Sequence, residues 1–307
     1  MANNSQIRTE ITNRIVTALE SGDLPPWRQP WNNDKNAGFP KNIVSRRSYS
    51  GVNPLLLTVA SDRHEFQSRW WATFKQWDEL GGKVMRRPSH VRKGEWGTKI
   101  VFCSPVSKKK TNGDGEEVED QFWMLKTYCV FNVDQVEGDH LDHLRVGHEA
   151  DTRNDINMFD EADAAIAATE ADIRYGGNRA FYSPAGDYIQ MPHRHQFSVP
   201  EYYETLCHEL VHWTEHESRL NWDRAQQGEH AYALGELIAE IGACYLCAEL
   251  GVPTGDRLDN HASYLKSWLS VMKQDAGFIF RATRQASKAT DYVLSFSRQP
   301  DEMVVAG

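Results

Sequence analysis

Cysteine is scarce in this chain: five in 307 residues, an odd number at irregular positions. That excludes a disulfide-stapled fold and suits a reducing compartment, so the expected location is the cytoplasm. Cys244 and Cys247 form one C-x-x-C, but no second pair matches it and both lie in an apolar helical pattern. They read as core packing. Long apolar runs are also missing. None approaches 18 residues, and no membrane span is expected. The stretch from Met1 to Ser5 leads into a polar helical pattern and lacks the apolar centre of a signal peptide.

What is present is ordinary in bulk and uneven in distribution. Charged residues make up 25% and hydrophobic ones 40%, as in a globular protein, and 307 residues suit two domains. The net charge of −9 hides an asymmetry. Up to Gly138 there are 20 Lys and Arg against 16 Asp and Glu; beyond it there are 14 against 27. Between Lys35 and Lys110 the count is 16 basic to 5 acidic. By charge alone this block is either a polyanion-binding module or a solvated basic surface.

The chain's strongest chemical signal is Leu206-Cys207-His208-Glu209-Leu210-Val211-His212-Trp213. Residues four apart share a helix face, so His208 and His212 can hold one Zn²⁺ at about 2.0–2.1 Å each. Glu209 lies beside them, placed to take a proton from water at the ion. A catalytic zinc usually takes a third protein ligand. Downstream, Tyr232 to Ala243 is an apolar helical pattern carrying Glu236 and Glu240, again four apart. Buried carboxylates need a charge partner or a metal. Glu236 is the expected third ligand, and Glu240 the acceptor that orients a ligating histidine. This E-x-x-x-E arrangement resembles the second zinc helix of gluzincins. His216 lies about 12 Å along a helix from His208, too far for one ion. It reads as a surface or helix-end residue, flanked by solvated Glu215 and Glu217.

In chain order, Ile7 to Leu19 is helical by period, and Pro25-Pro26 stops it. Trp27-Arg28-Gln29-Pro30-Trp31 is an extended aromatic–basic cluster that either covers a core edge or stacks on bases. Lys41 to Asn53 reads as a loop with Arg46, Arg47 and Tyr49, and Pro54 opens a helix. Trp71, Phe74 and Trp77 recur at helical spacing, so part of that set is core. Val84 to Lys93 is basic, Thr98 to Cys103 and Phe122 to Phe131 are strands, and Lys108 to Asp120 is a charged hairpin tip. His140 to Thr152 is the best linker candidate. Asp155 to Ile173 reads as a helix, followed by two short strands around Pro184–Gly186. The strand ahead of the His208 helix could receive an extended peptide, with Tyr182 and Tyr188 as candidate oxyanion donors. Ala262 to Met272 and Ala282 to Phe296 are amphipathic helices. The expected fold class is α+β, in two domains. A small α+β domain spans 1–138, a linker 139–152, and a mainly helical metallopeptidase-like domain 153–307.

Assembled, these residues resemble the ArdC-type antirestriction proteins of conjugative plasmids. The resemblance rests on Pro26-Trp27, Pro30-Trp31, Tyr49-Ser50-Gly51-Val52-Asn53, Trp71-Ala72-Thr73-Phe74-Lys75-Gln76, Leu80-Gly81-Gly82 and Val91 to Thr98. Farther on it rests on Asp187 to Pro192, His208 to Thr214 with Ser218-Arg219-Leu220, and Glu236-Leu237-Ile238-Ala239-Glu240. It implies an N-terminal domain that binds single-stranded DNA without sequence preference, and a C-terminal zincin-like domain. It further implies protection of incoming plasmid DNA in a bacterial recipient cell, with zinc or another divalent metal as cofactor. A host protein, such as a restriction component, is the possible peptidase substrate. The expected phosphate contacts are Arg46, Arg47, Lys75, Arg86, Arg87, Arg92 and Lys93. The expected stacking residues come from Trp27, Trp31, Tyr49, Trp70 and Trp96. Two departures stand out. Gly235 precedes Glu236 where the family often has an acid, and Lys83 to His90 adds basic residues.

Overall fold

The computed structural model describes residues 3–21, 25, 27, 34–111, 117–147, 159–253 and 262–298. The chain opens with α1 (Asn4–Ser21), whose Ile7, Ile11, Ile15, Val16 and Leu19 form one buried stripe. Then come β1 (Lys41–Asn42), α2 (Asn53–His64), β2 (Trp70–Thr73), α3 (Phe74–Glu79), β3 (Lys83–Val84), β4 (Thr98–Thr111), β5 (Glu117–Asn132) and β6 (Val136–Glu137). β1, β2, β5 and β4 form a sheet in that order, and β3 pairs with β6.

The aromatic run at 70–77 is not one helix. Thr73 ends β2 and caps α3, accepting from the Gln76 amide while the Gln76 side chain reaches back to the Thr73 amide. This reciprocal cap starts a helix in mid-run. Trp71 and Trp77 are fully buried, whereas Phe74 is exposed. The charged tip is also shorter than expected, since β4 and β5 stay paired out to Thr111 and Glu117. The linker expectation changes too. Asp139–Leu144 is a 3-10 helix, and its Leu141 and Leu144 pack with Trp77 and Val136 in a core of this half. The rest of that expected linker, from residue 148, lies outside the described residues.

The second half contains α4 (Asp160–Ala168), β7 (Asp172–Tyr175), β8 (Phe181–Ser183), β9 (Tyr188–Met191), α5 (Val199–Trp213), α6 (Ala231–Glu249), α7 (Ala262–Gln274) and α8 (Phe278–Leu294). Where one helix was expected up to Ile173, α4 stops at Ala168 and Glu170 adopts φ +53°. This left-handed residue turns the chain into β7, which runs parallel to β9, while β8 lies antiparallel on the other side. α5 starts on a Ser198–Glu201 capping box with Pro200 in its first turn.

α6 is apolar nearly all round and sits at the centre of the largest core. The window Gly228–Glu249 is long and apolar enough to cross a membrane, which consecutive apolar runs had not indicated. However, 78% of its 18-residue apolar stretch is buried inside the protein, as in a core helix. α6 meets α5 closely. A Cβ on Gly242 would lie 2.7 Å from a Val211 methyl.

The two halves share this core. α1 packs on α7, and Thr12 Oγ1 donates to the Ala276 carbonyl at 2.8 Å. Tyr245 of α6 donates to the Gly51 carbonyl at 3.0 Å and stacks edge-on against Phe39. At the end of α6, Glu249 is only 5% exposed and accepts from Ser48 and from Arg298 Nη1 at 3.0 Å, with Lys41 Nζ at 3.5 Å. Burial pushes its carboxyl up, but Lys41, Arg298 and Ser48 outweigh that and hold it below the usual range.

This packing can be tested at both of its tight points. Glu249→Gln leaves Lys41 and Arg298 without their shared anion and should cost roughly 2–4 kcal/mol at neutral pH. Because the folded-state pKa is depressed, this stability is present above the unfolded value of about 4.3 and lost as pH falls below it. Melting curves of both proteins should therefore differ at pH 7 and converge in acid. Gly242→Ala should push α5 from α6 and lower stability by about 1–3 kcal/mol, read by denaturant unfolding.

Candidate metal centre and basic surface

The approach of α5 to α6 brings His208, His212 and Glu236 together. The two histidine Nε2 atoms are 3.1 Å apart. Glu236 Oε2 is 3.7 Å from His208 Nε2, and Glu236 Oε1 is 3.6 Å from His212 Nε2. Two tetrahedral ligands at about 2.1 Å from an ion stand roughly 3.4 Å apart, so the three spacings bracket the required value. Two imidazoles and one carboxylate are also the donor types that divalent zinc takes. The residues fit a single divalent ion.

The electrostatics follow from burial among opposed charges. Burial disfavours charge on Glu236, but His208, His212 and Arg224 outweigh it and hold the carboxyl at about 2. Burial and the neighbouring His208 and Arg224 charges push His212 well below its ordinary value. Burial opposes charge on His208, yet Glu236, Glu209 and Glu240 together raise it. Glu240 is buried, and its charge helps to raise this histidine. Glu209 is buried and raised by desolvation; it accepts from the Tyr182 amide of β8 at 2.7 Å. The Tyr182 hydroxyl is tied up, donating to Asp187 at 2.9 Å and accepting from Arg219 Nη2 at 3.1 Å.

Two residues of this centre escaped the sequence reading. Glu215 is not solvated. α5 ends at Trp213, and the chain folds back so that Glu215 Oε1 lies 3.0 Å from His212 Nδ1. Arg224 then grips Glu215 with Nε at 2.8 Å and Nη2 at 3.1 Å, and reaches Glu236 with Nη1 at 3.4 Å. Gly235 makes this possible, since a Cβ there would meet Arg224 Cζ at 2.8 Å. The glycine that departs from the family pattern is thus the seat of the arginine. His216 is a helix-end residue, 2.8 Å from Ser218 Oγ.

The expected DNA-binding residues divide. Arg86, Arg87, Arg92 and Lys93 are exposed together on the segment between β3 and β4. Trp96 ends that segment half-buried. It donates to the Met85 carbonyl at 2.9 Å and packs on His64 and Phe66. Arg46 and Arg47 are exposed on the loop after β1, with the Arg46 guanidinium 4.9 Å over the Trp70 ring. Trp70 donates to Asn36 at 2.9 Å. Tyr49 packs against the Leu57–Trp71 core, and burial pushes its hydroxyl up to about 12. Lys75 is exposed beside Glu79. Trp27 is 4% exposed and packs edge-on against Trp268 of α7, so it presents no free ring face. Trp31 lies outside the described residues.

Comparison with known proteins accounts for both halves. Residues 5–131 match the family model of the N-terminal domain of anti-restriction factor ArdC, and residues 160–285 match that of zincin-like metallopeptidases. Protein y4eC of Sinorhizobium fredii, itself uncharacterised, is 32% identical over 94% of this chain and 92% of its own length. A DNA primase TraC of Escherichia coli is 33% identical over 94% of this chain, which spans 27% of that primase. The metal-free crystal structure of the antirestriction protein ArdC from plasmid R388 superposes with a TM-score of 0.75, at 37% identity, over 94% of this chain and 97% of that one. Its Mn(II)-bound form superposes at 0.69 and 36% identity over the same shares. With both of its halves and nearly all of its length matched, the chain belongs to the ArdC antirestriction family and carries a zincin-like domain.

Proposed function

We propose that this protein binds single-stranded DNA through its N-terminal half and protects incoming plasmid DNA from host restriction during conjugation. One observation carries the reading: a single chain of this family joins an exposed basic segment to a partly buried His–His–Glu triad of ligand spacing. Arg86, Arg87, Arg92 and Lys93, with Arg46, Arg47 and Lys75, supply cations for phosphates. Trp70, Trp96 and Tyr49 are the remaining described candidates for stacking. Such a combination favours single strands, because unpaired bases offer free faces.

His208, His212 and Glu236 would hold a divalent metal ion, zinc or another first-row ion. A bound ion would supply Lewis acidity toward water and a carbonyl oxygen. Glu209 is the residue to accept the proton, fixed by the Tyr182 amide. Glu215 would orient His212, with Arg224 holding Glu215 in turn. That a form of the related R388 protein binds Mn(II) supports a divalent metal as cofactor.

A second reading is a DNA-tethered metallopeptidase that cleaves a host protein, such as a restriction component. Glu209 favours it, because an ion with a purely structural role needs no buried base beside it.

Metal analysis tests the centre. Wild type should carry about one equivalent, His208→Ala should lose it, and Glu209→Gln should keep it. Glu215→Gln should weaken metal affinity by about 10–100-fold, the usual effect of losing such an outer partner. Full metal occupancy in His208→Ala protein would exclude this ligand set.

DNA binding is best tested with the whole chain, because α1 shares its core with the C-terminal helices. Wild type should prefer single strands to duplex, with little sequence preference. Charge reversal at Arg92 and Lys93 should weaken binding to all sequences alike. It should reduce the salt slope by roughly 0.7 for each phosphate no longer neutralised. Equal binding of duplex and single strands by wild type would refute the reading. If the charge-reversed protein binds weakly yet protects transferred plasmids fully, DNA binding is not the protective step, and transfer assays with Glu209→Gln then test the peptidase.

A further inference from the structure

The sheet formed by β4 and β5 has an aromatic surface that none of the roles above uses. Residues directly opposite on antiparallel strands share a face, and so do residues two apart on one strand. Ile100 pairs with Tyr128, and Phe102 with Lys126. All four therefore lie on one face. Ile100 is buried with Val130 beneath Leu57 of α2. One step outward, that cover ends: Phe102 is 50% exposed and Tyr128 47% exposed. Their rings stand edge to face with centroids 6.0 Å apart. Among the described residues this is the one contact between Phe, Tyr or Trp rings in which both partners are exposed. Packing does not account for it, since neither ring fills a core.

We propose that Phe102 and Tyr128, with Lys126 beside them, form a stacking platform for the unpaired bases of a nucleic-acid strand. The proposal rests on the reading of this half as a single-stranded-DNA binder and assigns that strand a second place to bind. Charge and continuity select this occupant over an apolar protein surface. Lys126 is exposed and has no carboxylate partner among the described residues, so a cation stands free at the rings for a phosphate. The basic segment ending at Gly97 runs straight into β4, and Phe102 lies four residues past the start of that strand, about 13 Å away. A strand held by Arg92 and Lys93 is thus led onto the rings. Gly97 keeps this junction tight, because a Cβ there would meet Cys129 and Phe131. Stacking on aromatic faces is tolerant of sequence, as the proposed function requires.

The test separates stacking from phosphate attraction. Full-length protein is titrated with a short oligo-dT and with an abasic strand of the same length, across a salt series. The variant with both Phe102→Ala and Tyr128→Ala should lose about tenfold or more in affinity for oligo-dT. Its affinity for the abasic strand and its salt slope should match wild type. Tryptophan at both positions should restore oligo-dT binding. Lys126→Ala should weaken both strands alike and lower the slope. An unchanged melting curve is expected for each variant, since the three side chains are exposed. If the double alanine variant binds oligo-dT as wild type does, the platform is refuted while single-strand binding stands. If wild type binds neither strand, the reading beneath it falls. Altered self-association with unchanged oligo-dT affinity would identify the rings as a protein contact and overturn the proposal.

Discussion

Everything in the C-terminal half depends on one constraint: ionisable groups placed in the seam between two apolar helices must satisfy each other. His208, Glu209 and His212 enter from α5, and Glu236 and Glu240 from α6. Each charge alone would be costly there, because burial penalises an unpaired charge far more than pairing returns. The structure resolves this by clustering. Glu236 faces both histidines, Glu209 takes a backbone amide, and Arg224 with Glu215 closes the open side. A divalent ion is the natural completion of a set with more carboxylates than cations.

That seam fixes the rest of the molecule through α6. Its first turns carry Glu236 and Glu240, and its last turns carry Tyr245 and Glu249, which hold the N-terminal half at Gly51, Lys41 and Ser48. The loop so held also bears Arg46 and Arg47. One helix therefore carries the carboxylate of the triad at one end and holds a basic loop at the other. Covering α6 on all sides is what makes this possible, and it explains why a helix apolar enough to cross a bilayer serves as a core here.

Much of this was legible in the sequence, for physical reasons that can be named. The spacing of His208 and His212 is a helix repeat, and acids within an apolar pattern demand a partner, so the triad could be read before the fold. Glu215 could not. Its role arises where α5 stops and the chain reverses, a turn that leaves no periodic mark. Arg224 was hidden for another reason: it reaches the site across Gly235, and a missing side chain is visible only in three dimensions. The tryptophans show the limit of composition. Trp27, Trp70 and Trp96 look alike in the sequence, yet one is core and two are half-buried. The break at Thr73 was encoded in its reciprocal cap with Gln76, but the aromatic spacing on either side masked it.

The charge asymmetry gains meaning once the two halves are seen to share a core. A net excess of acid beyond Gly138 sits on the same body as the basic segment before it. At physiological salt, exposed charges farther apart than about 8 Å are largely screened, so the acidic half does little to weaken the phosphate contacts proposed for the basic segment. It does disfavour a strand lying across the zincin-like surface, where contact would bring like charges within that length. Packing of the halves through α1, α6 and Glu249 then holds the basic and the acidic parts of the chain in one body.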